Sequence, residues 1–122
     1  MPHREITRLT LYGNLVSGNC LKTRWVADAL GLDYDWVEID VVKGEAQSAS
    51  YLAVYPFGKV PLARWPDGRT LPESNAIMLY LAETHPGGNK FIPSDPFVKA
   101  QMMSWLFWEQ YSHETAIAVR RY

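Results

Sequence analysis

Pro56-Phe57-Gly58-Lys59-Val60-Pro61-Leu62-Ala63-Arg64-Trp65-Pro66-Asp67-Gly68-Arg69-Thr70-Leu71-Pro72-Glu73-Ser74 is the stretch on which the fold turns. It opens on a loop signal, Pro56-Phe57-Gly58, and runs through Val60-Pro61 into a short apolar segment, Leu62 to Trp65. Pro66-Asp67-Gly68-Arg69 reads as a turn, because proline presets φ and glycine accepts a positive φ. Thr70 and Leu71 then supply a return strand, which makes a small hairpin. Glu73-Ser74 stands directly before a helical pattern that runs to Thr84, with Ile77 and Leu81 beside Ala76 and Tyr80 as its apolar set.

The same residues carry two features of a binding site. A proline at a strand entry belongs at an edge or a bend, since it has no N–H for the ladder. If the Val60-Pro61 bond is cis, Val60 turns its backbone N–H and C=O towards open space, where an extended ligand pairs as another strand does. The free N–H groups near Ser74 and the positive helix end favour a carboxylate. A peptide-like ligand with an acidic end satisfies both features. A plain hairpin followed by a capped helix also accounts for these residues.

Upstream, Ile6 to Tyr12 alternates as a strand, with Leu9 and Leu11 on one face, and Gly13-Asn14 ends it. Ser17-Gly18-Asn19 signals a helix start. The helix runs from about Cys20 to Leu30, with Leu21, Trp25 and Ala29 as its apolar row and Val26 and Leu30 alongside. Gly31 stops it. Tyr34 to Val42 is rich in β-formers and reads as a second strand, parallel to the first through a right-handed crossover. Lys43-Gly44-Glu45 opens a polar, weakly helical segment to about Val54. The order is β-α-β, a loose helix, then β-β-α. That is an α/β thioredoxin-like arrangement: a mixed sheet with one strand antiparallel.

Residues 1–85 therefore form the expected thioredoxin-like domain. A composition shift follows, with Pro86-Gly87-Gly88-Asn89 and Pro93-Ser94-Asp95-Pro96, and residues 86–96 read as a linker. Residues 97–122 form one long helical pattern. Its Val98, Met102, Met103, Trp105, Leu106, Phe107, Trp108 and Tyr111 cover more than one stripe, so contact on two sides is expected. One side is expected against the helices around Trp25 and Tyr80. The other, left bare, would drive dimerisation.

Composition narrows the function classes. The 122 residues are 48% hydrophobic and 20% charged, an ordinary globular balance, with five Trp, seven Tyr and four Phe for a core. A net charge of −1 argues against nucleic acid as a partner. A single cysteine excludes an internal disulfide and suits a reducing cytoplasm. Met1 to Glu5 shows no apolar leader pattern, and no apolar run reaches the ~20 residues of a membrane span. No metal site is expected, because His3, His85 and His113 are scattered and Asp67 and Asp95 have no ligand cluster around them.

Ser17 is the candidate catalytic residue, with a helix N-cap as its plainer reading. Cys20, three residues on, resembles the second cysteine of a Cys-x-x-Cys pair whose first member is replaced. It is either a small buried residue or a reactive thiol near a helix N-terminus.

Tyr55 to Pro61 and Glu73 to Leu81 together resemble the glutathione-binding half of glutathione S-transferases, with a serine-type, bacterial or theta-like character in Ser17-Gly18-Asn19-Cys20. Leu11-Tyr12-Gly13 and Lys43-Gly44-Glu45 extend the resemblance, which covers roughly residues 6–111. It implies a glutathione transferase of the cytoplasm, acting in detoxification as a homodimer on a small hydrophobic electrophile. Glutathione would be co-substrate, with no metal. The Ser17 hydroxyl would donate to the glutathione thiolate, which attacks the electrophilic carbon. Tyr12 is the rival, since other classes use a tyrosine near this strand's end. Val60 would pair with the cysteinyl part through its backbone, made possible by a cis Pro61. Glu73 and Ser74 would hold the γ-glutamyl amine and carboxylate, and Lys59 would approach the glycyl carboxylate. Many serine-type members carry a histidine where this chain has Ala46; Gln47 is the candidate substitute. The resemblance also implies a following all-helical domain, of which residues 97–122 supply the first helix. Two other functions stay open: a non-catalytic transferase-like dimerisation or interaction module, and a glutathione-dependent thiol oxidoreductase using Cys20.

Overall fold

The computed structural model describes residues 8–118. Strand β1 (Leu9–Gly13) lies beside β2 (Tyr34–Glu38) in parallel, with Leu9 opposite Tyr34 and Gly13 opposite Glu38. On its other side β1 pairs antiparallel with β3 (Leu62–Arg64), and β3 pairs antiparallel with β4 (Thr70–Pro72). The sheet order is β2-β1-β3-β4, so β3 alone runs against its neighbours, as the sequence predicts. Ile6 and Thr7, read as the start of the first strand, lie outside the described residues.

The two-residue period of the strands divides the core into two layers. Leu9, Leu11 and Ala63 face helices α1 (Gly18–Ala29) and α3 (Ser74–Thr84), where Ala27, Ile77 and Leu81 complete one cluster. Tyr12 and Leu62 face the opposite way and pack with Ile39, Ala46 and Tyr51. Tyr51 belongs to α2 (Ala49–Val54), which follows a 3-10 turn at Glu45–Gln47. Leu11, Leu62, Ile77 and Leu81 are fully buried, each removing about 1.5–3 kcal/mol of apolar surface cost from water. The Tyr51 hydroxyl donates to the Lys59 carbonyl at 2.6 Å, tying α2 to the loop before β3, and burial pushes that phenol's pKa up.

Three local readings need correction. Trp25 and Ala29 are exposed, Trp25 by 61%, and the buried row of α1 is Cys20, Thr23 and Ala27. This helix packs on β1 and α3, where small side chains allow close approach. Thr23 fits because its hydroxyl donates to the Cys20 carbonyl at 2.7 Å. The second strand ends at Glu38 rather than Val42, because β1 stops at Gly13 and offers no further partner. Asp40 then turns the chain, its Oδ1 accepting from the Lys43 N–H at 3.1 Å, and leaves Val41 and Val42 exposed.

The third correction concerns the last helix. The stretch read as a linker contains a 3-10 turn, Gly88–Phe91, in which Gly88 is buried against Ala82 of α3. Asp95 caps α4 (Pro96–Trp108), accepting from the N–H groups of Phe97 and Val98 at 2.9 and 3.0 Å, with Pro96 in the first turn. A wide π-type turn, Glu109–Ala118, continues it. Residues 119–122, also read as helix, lie outside the described residues. No residue of α4 is buried, and Trp25, where it was expected to pack, is exposed. Its far end instead meets the starts of α1 and α3 through polar groups. Asn75 Nδ2 donates to the Leu106 carbonyl at 3.0 Å, and Lys22 pairs with Glu109. Phe97, Trp105, Phe107, Trp108 and Tyr111 are left on the surface. Among the described residues no helix is long and apolar enough to cross a membrane.

Candidate functional site

A cleft of about 270 Å³ opens where the hairpin meets the N-termini of α1 and α3. Lys59, Val60 and Pro61 form one wall, Pro72, Glu73 and Ser74 another, and Asn19, Tyr55 and Gln110 complete it. The Val60–Pro61 bond is cis. Pro61 itself is buried, Val60 is half-buried and Lys59 is exposed.

The opposite wall is set by an unusual backbone. Glu73 has φ 74° and ψ 113°, a region that a residue with a side chain enters at a cost of about 1–3 kcal/mol. Among the described residues it is the one non-glycine with positive φ. No side chain caps α3, so the N–H groups of its first turn have no intrahelical partner at the cleft. Ser74, only 4% exposed, lies with its Oγ 3.5 Å from Asn19 Oδ1, linking the starts of α3 and α1. The cleft thus offers donors, a positive helix end and the exposed Glu73 carboxylate on one side, and the Lys59-Val60-Pro61 backbone on the other.

Ser17 caps α1, its Oγ accepting from the Cys20 N–H at 3.4 Å. It lies outside the cleft lining, one residue beyond Gly18 from Asn19, which is in it. The loop that carries it is pinned twice. Glu38 accepts from the Leu15 N–H at 3.1 Å, and Asn14 accepts from the Val16 N–H at 2.8 Å while donating to the Ile39 carbonyl at 3.1 Å. The Ser17 hydroxyl also lies beside the Cys20 thiol, whose pKa it pulls down.

The other candidates sit deeper or elsewhere. Tyr12 is 8% exposed, its ring tilted against that of Tyr51 at 5.7 Å in the layer under α2. Gln47 is exposed, and its Nε2 donates to the Gly58 carbonyl at 3.0 Å, bracing the loop before Val60 rather than lining the cleft. Ala46 is buried in the second core layer. Cys20 is fully buried. Burial pushes its thiol pKa up, and the opposing pull of the Asn14 backbone and the Ser17 hydroxyl does not cancel that. A raised pKa keeps the thiol protonated at neutral pH. Iodoacetamide at pH 7 is therefore expected to modify native protein slowly and guanidinium-unfolded protein fully, as read by mass spectrometry. Rapid labelling of the native chain would show instead that Cys20 reaches solvent as a thiolate. Among the described residues no group of three or more His, Cys, Asp or Glu could hold a metal ion.

Four lining residues, Asn19, Tyr55, Pro72 and Gln110, are not among the site candidates read from the sequence. Asn19 stood within the Ser17-Gly18-Asn19-Cys20 motif and was read only as part of a helix start. Gln110 lies 91 residues from Asn19, yet its Nε2 donates to Asn19 Oδ1 at 2.6 Å. No local pattern around Gln110 signals that meeting, since it depends on how the end of α4 meets the starts of α1 and α3.

Comparison with known proteins gives a consistent relationship. A family model described as "Glutathione S-transferase, N-terminal domain" matches residues 11–89. Protein LigF of Sphingobium sp. is 37% identical over 101 residues, covering 82% of this chain and 39% of its own length. Among solved structures, a glutathione S-transferase from Pseudomonas fluorescens superposes with a TM-score of 0.84 at 42% identity, over 94% of this chain and 55% of that one. A glutathione transferase homologue from Sulfitobacter, with bound glutathione, superposes with a TM-score of 0.82 at 27% identity, over 96% of this chain and 57% of the other. This chain therefore spans about two fifths of that curated relative and just over half of these solved chains.

Proposed function

This chain belongs to the glutathione S-transferase family, and on that footing we propose that it binds glutathione in the cleft and conjugates its thiolate to a hydrophobic electrophile. The observation that carries the reading is the pairing of Val60, at the cis Pro61, with the uncapped start of α3 across one cleft. In this reading Val60 meets the cysteinyl backbone as a strand would. Ser74 and the first-turn N–H groups of α3 take the γ-glutamyl carboxylate, Glu73 takes its amine, and Lys59 approaches the glycyl carboxylate. Ser17 donates to the sulfur. The strained backbone at Glu73 supports a ligand role, since such strain is retained where a site needs it. Glutathione bound to the Sulfitobacter homologue supports the choice of ligand.

Residues 1–85 act in this reading as the glutathione-binding domain, residues 86–96 as its connection, and residues 97–122 as the start of a helical domain. Isothermal calorimetry with glutathione on this chain tests the reading: saturable heat is expected, and none at millimolar ligand would overturn it. The thiol oxidoreductase alternative is disfavoured by the burial of Cys20 and its raised pKa. A non-catalytic module draws support from Ala46, which stands where many serine-type members have histidine.

The reading includes a homodimer in the cytoplasm. The exposed Phe97, Trp105, Phe107, Trp108 and Tyr111 are more large apolar side chains than a soluble monomer commonly leaves on one helix and its extension. Light scattering coupled to size exclusion is expected to give twice the mass of one chain, 13.9 kDa, at high micromolar concentration. A stable monomer there would remove the dimer from the proposal.

A further inference from the structure

Ser17 closes a turn whose two central residues are exposed. Its N–H donates to the Asn14 carbonyl at 3.0 Å across residues 14–17, and Leu15 and Val16 face solvent at the crest. The Asn14 side chain ties the first residue of the turn to the Ile39 carbonyl. The crest is tied by Glu38, whose Oε2 and Oε1 lie 3.1 and 3.3 Å from the Leu15 nitrogen.

Glu38 is itself held. It stands two residues after Trp36 on β2, so the two share one face of the strand. The Trp36 Nε1 donates to Glu38 Oε1 at 2.9 Å. The same indole reaches the end of β1: a Cβ at Gly13 would stand 2.7 Å from its Cη2, so glycine there is what lets the ring lie so close. The Arg24 guanidinium of α1 lies over the ring, 5.2 Å from its centroid. An exposed carboxylate at the end of an edge strand ordinarily keeps its water. This one accepts instead from an indole and from the backbone of the loop that carries Ser17.

We propose that Glu38 is a positioning residue for Ser17: its carboxylate, oriented by the Trp36 indole, holds the turn over residues 14–17 so that the Ser17 hydroxyl meets the ligand sulfur. This rests on the glutathione reading above, in which Ser17 donates to the thiolate. A hydroxyl assists a thiolate only within hydrogen-bond reach, and a misplacement of about 1 Å at a reacting centre costs up to ~10²-fold in rate.

Conjugation rates of the whole chain, with glutathione affinity by calorimetry beside them, test it. Glu38→Ala is expected to lower kcat about tenfold, the scale of one hydrogen bond to a charged group, and to leave affinity within about twofold. Glu38→Gln loses the charge but keeps an oxygen for both N–H groups, and is expected to stay within about threefold of the wild-type rate. In the Ser17→Ala background, Glu38→Ala is expected to cost less than about twofold further, because the hydroxyl it positions is gone. Arg8→Ala, which breaks the pair with Asp35 near the start of β2, is expected to leave kcat within about twofold. If Glu38→Ala does not fold, Trp36→Phe, which deletes the donor that orients Glu38, carries the same cycle with Ser17→Ala. The inference is overturned if Glu38→Ala keeps the wild-type rate, or if Glu38→Gln is as slow as Glu38→Ala. It is overturned equally if Glu38→Ala costs as much without the Ser17 hydroxyl as with it, which would make Glu38 a residue of the fold alone. Wild-type chain that gives no conjugation, or a Ser17→Ala variant as fast as wild type, removes the reading beneath the inference and the inference with it, results distinct from any of these.

Discussion

Ser17→Ala is expected to lower conjugation of glutathione to an activated aryl chloride by about 10²–10³-fold, the loss typical of one hydrogen-bond donor removed from a developing anion. Glutathione affinity is expected to stay within about threefold, because in the proposed reading the backbone of Val60 and the start of α3 hold the ligand. A free thiol titrates near ~8.5, so only a few per cent is ionised at neutral pH. A hydroxyl that donates to the sulfur stabilises the thiolate and lowers that value. In the structure Ser17 Oγ accepts from the Cys20 N–H, and in the proposed reading its proton turns to the ligand sulfur. Without it the thiolate forms only at higher pH. The ultraviolet absorbance of bound thiolate should therefore titrate at higher pH in the variant than in the wild type, a readout that needs no electrophile. Removing the cap also costs about 1 kcal/mol of stability, which a thermal melt separates from the chemistry. Cys20→Ala is expected to leave both the rate and the thiolate titration in place. If Cys20→Ala abolishes turnover while Ser17→Ala is harmless, the chemistry belongs to a cysteine mechanism.

What was legible in the sequence follows from the range over which each signal acts. The hairpin was legible because Pro66-Asp67-Gly68-Arg69 fixes its own turn, and the pairing of Leu62–Arg64 with Thr70–Pro72 follows from that turn. The start of α3 at Ser74 was legible for the same reason. Strand alternation placed Leu9 and Leu11 on one face, and the structure puts both against α1 and α3. The buried face of α1 was misread because bulk was taken as the mark of burial. Trp25 faces solvent, while Cys20, Thr23 and Ala27 let the helix sit close to β1 and α3. That closeness is a property of two elements together, and one helix's pattern does not contain it. Gln110 was illegible in the same sense. Its neighbours Asn19 and Ser74 are 91 and 36 residues away, and polar contacts leave no periodic trace.

Gly88→Ala is the substitution expected to destabilise the chain most, although Gly88 falls in the stretch that reads as a linker. A Cβ built on Gly88 would overlap the Ala82 carbonyl oxygen and stand 2.7 Å from its carbon and 2.8 Å from the Ala82 Cα. These are backbone atoms near the end of α3, held by helix hydrogen bonds, so they cannot rotate away as a side chain would. Either α3 loses its last turn or the 3-10 turn Gly88–Phe91 lifts off it. Overpacking of this kind costs about 3 kcal/mol or more, a large part of a small domain's ~5–15 kcal/mol. For a chain of this size that is a fall of roughly 10–20 °C in Tm. Gly87→Ala next to it meets no atom within 4 Å, and its φ of +82° should cost only about 1 kcal/mol. Scanning calorimetry of the two variants separates a packed seam from a free connection: a free connection makes both mild, with Gly87→Ala the worse. A packed seam also carries the effect to the cleft, because α4 is set by the turn it grows from and brings Gln110 to Asn19 and Ser74. If Gly88→Ala melts within a degree of wild type, residues 86–96 do not fix the position of α4, and the meeting of Gln110 with the cleft must be held by the contacts of Asn75 and Lys22 alone.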